Sequence, residues 1–159
     1  MPNAKTPRES EVIKTEVVCP NDTNPMGILQ GGRMIDWMDI AAAIAAQTHS
    51  GRICVTVSMQ DVRFLQPAQQ GDIVTIRARI TRCFNTSMEI LTEAFVRNIH
   101  QPENQLVAHA FMTFVCKSQD GHLQPIPELL PETEEEKKLF EGGQHRRQQR
   151  HAAHATLGS

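Results

Sequence analysis

One stretch of the chain decides its fold: Asn21-Asp22-Thr23-Asn24-Pro25-Met26-Gly27-Ile28-Leu29-Gln30-Gly31-Gly32-Arg33-Met34-Ile35-Asp36-Trp37-Met38-Asp39. It starts as a polar loop, passes a pair of glycines and enters a segment that stays apolar on every side as far as residue 46. This pattern is typical of a helix enclosed by protein on all sides. We therefore predict a helix over about residues 33–48, with the glycine pair forming a tight entry.

An acidic residue, Asp39, lies within this apolar helix. An ionised carboxylate among apolar neighbours costs roughly several kcal/mol unless it is paired, hydrogen-bonded or beside a wet cleft. A functional acid is one explanation, and a structural acid paired with an arginine is the other. Asp36 lies one turn earlier and competes for the same role.

The rest of the chain has the character of β-strands, which we predict at residues 12–18, 53–64, 72–84, 87–98 and 105–118. The third of these alternates cleanly, with Ile76, Ala78 and Ile80 on one face and Thr75, Arg77, Arg79 and Thr81 on the other. Such alternation indicates a sheet covered on one face. The order of one strand, one helix and four strands predicts an α+β fold, in which an antiparallel sheet wraps around one long central helix.

The 159 residues suffice for a single domain, which we place at residues 11–127. Residues 1–10 are polar and aperiodic, which predicts a disordered tail. Residues 128–159 are expected to form a short C-terminal helix followed by a flexible basic tail. The helix is indicated by Pro131 at its start, acids in its first turn and Gly142 at its end.

Composition narrows the class of protein. A net charge of −2 argues against nucleic-acid binding by the domain body. The four cysteines are scattered without a CxxC pair, which favours reduced thiols, and no His is placed as a zinc ligand. The longest apolar run, residues 40–46, is far shorter than a membrane span, and no leader sequence is visible. We therefore expect a cytoplasmic protein with no metal site.

Six motifs, taken in order and spacing, resemble a known family. They are Asp22-Thr23-Asn24, Gln30-Gly31-Gly32, Trp37-Met38-Asp39, the run from Val55 to Pro67, Gly71-Asp72, and Thr86-Ser87-Met88-Glu89. The chain is similar here to the hotdog-fold acyl-coenzyme A (acyl-CoA) thioesterases of the hexameric bacterial and cytosolic branch, over about residues 11–127. Many relatives carry an acid directly after the motif aspartate, whereas this chain has Ile40, so no chain-length preference is carried over.

The resemblance implies an assembly and a site. Two protomers would join their sheets side by side, and three such dimers would form a hexamer. Each active site would lie at the dimer interface, with Asn24 as the catalytic amide and Asp39 as the catalytic carboxylate, contributed by opposite protomers.

These residue types suit thioester hydrolysis. Backbone N–H groups at a helix start are unpaired donors, so Gly31 and Gly32 are expected to hold the developing oxyanion. Asp39 would act as a general base or as a nucleophile. Asn24 offers a donor and an acceptor to orient the water or the carbonyl, while an Asx turn before Pro25 is its structural alternative.

The substrate side follows from the same resemblance. We expect acyl-CoA to be cleaved to free acid and CoA without metal or organic cofactor. The candidate CoA-binding residues are Arg63, Asn85, Thr86 and Ser87, of which the last three form a turn with backbone N–H groups suited to a pyrophosphate. A catalytically silent acyl-CoA sensor on the same fold is the alternative. A hotdog hydratase is disfavoured because His49 lies beyond the predicted helix and not one turn from Asp39.

Overall fold

A five-stranded antiparallel sheet and two long helices form the part of the chain, residues 3–158, that the computed structural model describes. In chain order the elements are β1 (Val12–Val17), α1 (Gly31–Ser50), β2 (Ile53–Phe64), β3 (Ile73–Cys83), β4 (Ser87–Asn98), β5 (Gln101–Lys117) and α2 (Glu134–Gly158). The strands are ordered β1-β3-β4-β5-β2, and every neighbouring pair is antiparallel. The predicted hotdog architecture is confirmed.

Helix α1 lies on one face of the sheet and forms the core with it. The β3 residues Ile76, Ala78 and Ile80 are buried against it, as their alternation predicts. Helix α1 contributes four fully buried alanines to this core, Ala41, Ala42, Ala45 and Ala46. Because alanine side chains are short, the helix can approach the sheet closely.

The helix begins two residues earlier than predicted. Gln30 is its N-cap residue, and the first helical turn closes where the Met34 N–H donates to the Gln30 carbonyl at 3.1 Å. Gly51 ends the helix in the left-handed conformation, with φ of 67°. Gly31 and Gly32 are therefore the first two helical residues, and their N–H groups have no partner within the helix.

One side of α1 is open to solvent in the single protomer. Ile40 and Ile44 are 42% and 46% exposed, and β2, a free edge strand of the sheet, exposes Ile53, Val55 and Val57. We call these five residues the apolar edge. The prediction that protein encloses α1 on all sides is therefore wrong for one protomer alone, because nothing in residues 3–158 covers the apolar edge.

The N-terminal segment is folded, contrary to the predicted disordered tail. Residues 1 and 2 lie outside the described residues. Lys5 pairs with the segment around Leu129: its N–H donates to the Glu128 carbonyl at 3.0 Å, and its carbonyl accepts from the Leu130 N–H at 2.8 Å. Pro7, two residues further along the chain, is buried. The order of this segment comes from a partner more than 120 residues away, which local composition does not reveal.

Helix α2 is present as predicted but is longer, because it continues to Gly158 where the sequence predicts a flexible tail. Gly142 and Gly143 lie within the helix rather than at its end. A Cβ atom at Gly143 would lie 2.8 Å from the Cβ of Arg82 on β3. The glycine therefore allows α2 to pack closely against the outer face of the sheet.

A buried ion pair fastens α2 to the sheet. Glu89 of β4 is 0% exposed, and the Arg146 guanidinium donates to both its oxygens, with Nε–Oε2 at 2.8 Å and Nη2–Oε1 at 2.7 Å. Thr81 donates a further hydrogen bond to Oε1 at 2.6 Å, and Arg150 lies 3.7 Å from Oε2. A buried carboxylate is stable only with such partners. We call this cluster of Thr81, Glu89, Arg146 and Arg150 the α2 anchor.

His49, in the last turn of α1, is fully buried. Its Nε2 lies 2.9 Å from the Pro127 carbonyl oxygen. A carbonyl can only accept, so Nε2 carries the proton and Nδ1 is left without a partner among residues 3–158. The pKa of His49 is lowered, mainly because burial disfavours the charged imidazolium. The Lys5 charge adds to this effect, while the Pro127 hydrogen bond and Glu9 oppose it.

This lowered pKa makes stability depend on pH. The unfolded chain regains the ordinary histidine pKa of 6.5 and binds a proton below it, where the folded state still does not. We therefore expect the free energy of unfolding to fall as pH drops from about 7.5 to about 5.5. Urea unfolding across this range measures it. The variant His49→Gln keeps a donor for Pro127 but does not titrate, so its slope should be smaller; equal slopes would contradict the assignment.

Candidate active site

Asp39 projects from α1 toward β2. It is half-buried, and its Oδ1 accepts a hydrogen bond of 2.7 Å from the Thr56 hydroxyl. Among residues 3–158 Asp39 forms no ion pair, so the alternative of a structural acid paired with an arginine is not met. Its second oxygen, Oδ2, has no protein hydrogen bond among the described residues. Asp39 is thus a carboxylate held in place through one oxygen, with the other available for chemistry.

Asp36 competes poorly for this role. Its side chain is 55% exposed and lies 3.8 Å from Arg33, one turn earlier on the same helix. Arg33 makes a closer ion pair of 3.0 Å with Asp22. Asp36 is therefore a solvated surface acid, whereas Asp39 faces the sheet.

Asn24 is fixed by its own loop. Its Oδ1 accepts from the backbone N–H groups of Met26 at 2.9 Å and Ile28 at 3.2 Å. The hydrogen bond from Met26 closes an Asx turn, so the structural alternative for Asn24 is present. Because both partners are donors, the side-chain oxygen must face them, which leaves the two N–H groups of Nδ2 without a partner among residues 3–158. Asn24 can therefore serve a ligand as a donor but not as an acceptor.

The glycine pair opens the helix beside an accessible space. Both residues are exposed. A Cβ atom at Gly32 would meet nothing within 4 Å, and one at Gly31 would meet the Phe64 ring at 3.5 Å. The unpaired N–H groups of this first turn, reinforced by the helix dipole, can approach an anionic oxygen.

A distance argument separates the glycines from Asp39. Gly32 precedes Asp39 by seven residues on one continuous helix. At 1.5 Å per residue the two positions are about 10 Å apart along the axis. The glycine pair and Asp39 are therefore separated by about two helical turns within one protomer. No hydrogen bond among residues 3–158 joins Asn24 to Asp39 either.

A small apolar cavity of 270 Å³ lies beside Gly31. It is lined by Ile28, Leu29, Gly31, Met34 and the residues from Phe64 to Ala68. Its lining and place next to the helix start suit an acyl chain. Unlike Met34, the methionines Met38 and Met88 do not line this cavity and are fully buried in the core.

The structure does not bring the candidate CoA-binding residues together within one protomer. Arg63 pairs with His109 on β5, whereas Ser87 pairs with Val115, six residues further along the same strand. These positions are roughly 20 Å apart. No hydrogen bond among the described residues uses the backbone N–H groups of Asn85 or Thr86, which lie in the turn between β3 and β4.

Sequence reasoning missed Thr56. A threonine in a β-branched run is typical of any strand, so its type carries no signal. The position of Thr56 in the strand is informative. By alternation Thr56 lies on the same face of β2 as Cys54, and that face meets α1. Strand alternation combined with the helix position of Asp39 could have found it.

Within residues 3–158, no group of three or more His, Cys, Asp and Glu side chains is placed to hold a metal ion. No helix in that range is both long enough and apolar enough to cross a membrane.

Comparison with known proteins gives consistent results. The thioesterase superfamily model matches residues 26–103. A Bacillus subtilis protein described as an uncharacterized acyl-CoA thioester hydrolase is 38% identical over 85% of this chain and 78% of its own length. The human cytosolic acyl coenzyme A thioester hydrolase is 37% identical over 91% of this chain, which spans only 38% of that longer protein.

Solved structures agree in fold. An acyl-CoA hydrolase from Bacillus cereus superposes with a TM-score of 0.94 at 36% identity, over 98% of this chain and 95% of that chain. The Staphylococcus aureus acyl-CoA hydrolase in complex with butyryl-CoA, CoA and CoA disulfide has a TM-score of 0.91 at 29% identity, over 99% and 95%. A hexameric acyl-CoA thioesterase has a TM-score of 0.91 at 33% identity, over 96% and 98%. This chain belongs to the thioesterase superfamily, as a hotdog-fold enzyme of its acyl-CoA thioester hydrolase group.

Proposed function

We propose that this enzyme hydrolyses fatty acyl-CoA to free acid and CoA, with Asp39 as its catalytic carboxylate. The observation that carries the proposal is the half-buried Asp39, held by Thr56 through Oδ1 and open at Oδ2. A carboxylate in this state is oriented without being neutralised by a cation. Such a group can take a proton or attack a carbonyl carbon.

The chemistry requires three contributions. The Gly31 and Gly32 N–H groups polarise the thioester carbonyl and hold the negative charge that develops on its oxygen. Asp39 takes a proton from the water that attacks the carbonyl carbon, and this proton then passes to the departing CoA thiolate. Alternatively Asp39 attacks directly, and water hydrolyses the resulting anhydride. Asn24, with only its N–H donors free, orients the water or the carbonyl oxygen.

A related enzyme supports the choice of residues. The Staphylococcus aureus hydrolase has been solved with alanine replacing an aspartate, an asparagine and a threonine. In that chain the asparagine precedes the aspartate by 15 positions and the threonine follows it by 17. Asn24, Asp39 and Thr56 have the same separations here. Thr56 is thus proposed as the positioning residue for Asp39.

The site is proposed to be shared between two protomers. The separation of about 10 Å between the glycine pair and Asp39 favours a second chain as the means of bringing both functions to one substrate. The apolar edge offers the surface for it, since exposed apolar rows beside a free strand favour association. Relatives that are described as hexameric support a dimer-built hexamer.

Further expectations concern substrate binding and location. Arg63 and the turn of Asn85, Thr86 and Ser87 are proposed to bind CoA phosphates. Because Arg63 and this turn lie far apart in a single chain, we propose that different protomers contribute them to the binding of one substrate. The cytoplasm is proposed as the location, supported by relatives that are named cytosolic.

The test measures thiol release from acyl-CoA substrates of increasing chain length. The native protein should turn over, whereas Asn24→Ala and Asp39→Asn, each alone, should be nearly silent. When the two variants are mixed and exchange protomers, each mixed dimer regains one intact site of two. Because half of the dimers are mixed, we expect about a quarter of the native activity.

The outcomes separate the parts of the proposal. No recovery after verified protomer exchange would contradict the shared site. Activity in a monomer, established by light scattering, would do the same. Absence of turnover by the native protein, with acyl-CoA binding retained, would indicate the silent sensor instead.

A further inference from the structure

Two thiols face each other across the edge of the sheet. Cys54 of β2 and Cys116 of β5 are directly paired in the antiparallel register, and their Sγ atoms are 3.3 Å apart. Both thiols are free. Cys116 is fully buried, while Cys54 is half-buried and so partly exposed to solvent.

The backbone of this pair already has the spacing of a disulfide. Directly opposed residues of antiparallel strands have Cα atoms about 4.5 or 5.5 Å apart, depending on their place in the ladder. Disulfides span Cα separations of about 4.4–6.8 Å, so both spacings fit. The sulfur atoms need to approach by about 1.3 Å to reach a bond length of about 2.05 Å. Side-chain rotation and small strand adjustments can supply this movement.

The surroundings favour formation of a thiolate. The pKa of Cys116 is lowered to about 7, first because the Cys54 thiol donates a hydrogen bond to it, with Ser50 and Arg52 contributing and burial opposing. Ser50 also lies 3.2 Å from the Cys54 sulfur. The thiolate is the reactive form of cysteine, so one member of the pair is prepared for attack while the other is in contact with it.

We propose that Cys54 and Cys116 form a reversible oxidation site, at which hydrogen peroxide converts the two thiols into an intramolecular disulfide. The thiolate of the pair attacks one peroxide oxygen, the O–O bond breaks, and the departing hydroxide takes a proton to become water. The sulfur of the other cysteine then attacks the resulting sulfenic sulfur, gives up its proton and expels a second water. Two thiols are oxidised, and one peroxide is reduced to two waters. A peroxide is small enough to reach a part-buried pair.

The disulfide would form close to the candidate active site, so we expect it to change turnover. This expectation rests on the proposed function. Thr56 follows Cys54 by two residues on the same face of β2 and holds Asp39 at 2.7 Å. Ser50, which contacts Cys54, belongs to α1 as Asp39 does. A shift of about 1 Å at a catalytic group can cost about 100-fold in rate. We expect the disulfide, acting one step away, to lower turnover by about tenfold.

The experiment treats the native protein with hydrogen peroxide and maps cysteine links by mass spectrometry of its peptides. The expected product has lost two hydrogen atoms and contains the Cys54–Cys116 link, and dithiothreitol restores both the mass and the turnover. Cys54→Ser should form no link and keep its turnover under mild peroxide. Cys19→Ser is the matched control, because Cys19 is exposed and distant, and its variant should form the link as the native protein does.

Cys19 also calibrates the treatment. If Cys19 is oxidised while Cys54 and Cys116 remain thiols, or if Cys116 pairs with Cys83 instead, the proposal is overturned. The link is detected by mass and does not require activity. A protein that forms the link but shows no thioesterase turnover before oxidation or after reduction with dithiothreitol would therefore refute the proposed function and leave the oxidation site standing, and an active protein without the link would do the reverse.

Discussion

Replacing Asp39 with asparagine should lower kcat for acyl-CoA hydrolysis by about 1,000-fold, since a general base contributes about 100- to 10,000-fold. Asparagine has nearly the same shape, and its side-chain oxygen can still accept the Thr56 hydrogen bond. The variant therefore keeps the local structure but loses the charge and the basic oxygen. Thiol release under saturating substrate, with folding checked by circular dichroism, measures the loss.

The matched control is Asp36→Asn on the same helix. Asp36 is exposed and pairs only at 3.8 Å with Arg33, so its variant should keep turnover within about twofold of native. If Asp39→Asn and Asp36→Asn behave alike, the assignment of Asp39 fails. A single turnover in heavy-oxygen water can reveal the nucleophilic route, because the label enters only the product acid if Asp39 is a base, whereas label found in Asp39 itself shows that water attacked the Asp39 carbonyl of an anhydride.

Replacing Arg146 with alanine should lower the free energy of unfolding by about 3–5 kcal/mol. The variant leaves the Glu89 carboxylate, which is 0% exposed, without its bidentate partner. It also removes the contact of the guanidinium with the Phe111 ring at 4.1 Å. Because domains are stable by only about 5–15 kcal/mol, this is a large share of the total. Urea unfolding at fixed protein concentration measures it.

Arg147→Ala provides the control from the next residue. Arg147 stacks on Phe84 at 4.4 Å but has no ion pair among residues 3–158, so its loss should cost about 0.5–1 kcal/mol. The double variant Glu89→Leu with Arg146→Leu should recover part of the lost stability, since it removes the buried carboxylate together with its bidentate partner, while Arg150 keeps its hydrogen bond to Gln60. A single Arg146→Ala variant as stable as Arg147→Ala would show that the α2 anchor does not carry stability.

Most of the fold can be predicted from the sequence because the residue patterns that indicate each element lie within short stretches of the chain. Alternation in β3 identifies the face that packs on α1, and β2 and β4 begin and end at the predicted residues. The apolar helix and its glycine entry set the order of elements. Both signals depend on neighbours within a few residues, which is the range over which periodicity can be read.

The ends of the chain were not accessible in this way. The Arg146 side chain resembles part of a solvated basic run until its partner Glu89, 57 residues away on another element, is known. Gly142 indicates a helix end in sequence, yet in the structure the helix continues through it, and the next residue, Gly143, provides close contact with β3. Lys5 pairs with the distant segment at Leu129. Long-range pairing decides these segments, and composition does not encode it.

The candidate site was partly accessible. Asp39 stands out as an acid in an apolar helix, and the structure adds that Thr56 holds it. The freedom of Asn24 to donate but not to accept could not be read from sequence, since it depends on which backbone groups fold back onto its oxygen.

The α2 anchor divides the C-terminal helix into two parts with different opening motions. Up to Arg150 the helix cannot fray residue by residue, because releasing Arg146 strands a buried charge, so this part must detach as one cooperative unit. Residues 151–158 lie beyond the anchor and are exposed, so they can open freely. Amide hydrogen exchange along α2 should therefore change abruptly after Arg150, with slow exchange before it and rapid exchange after it.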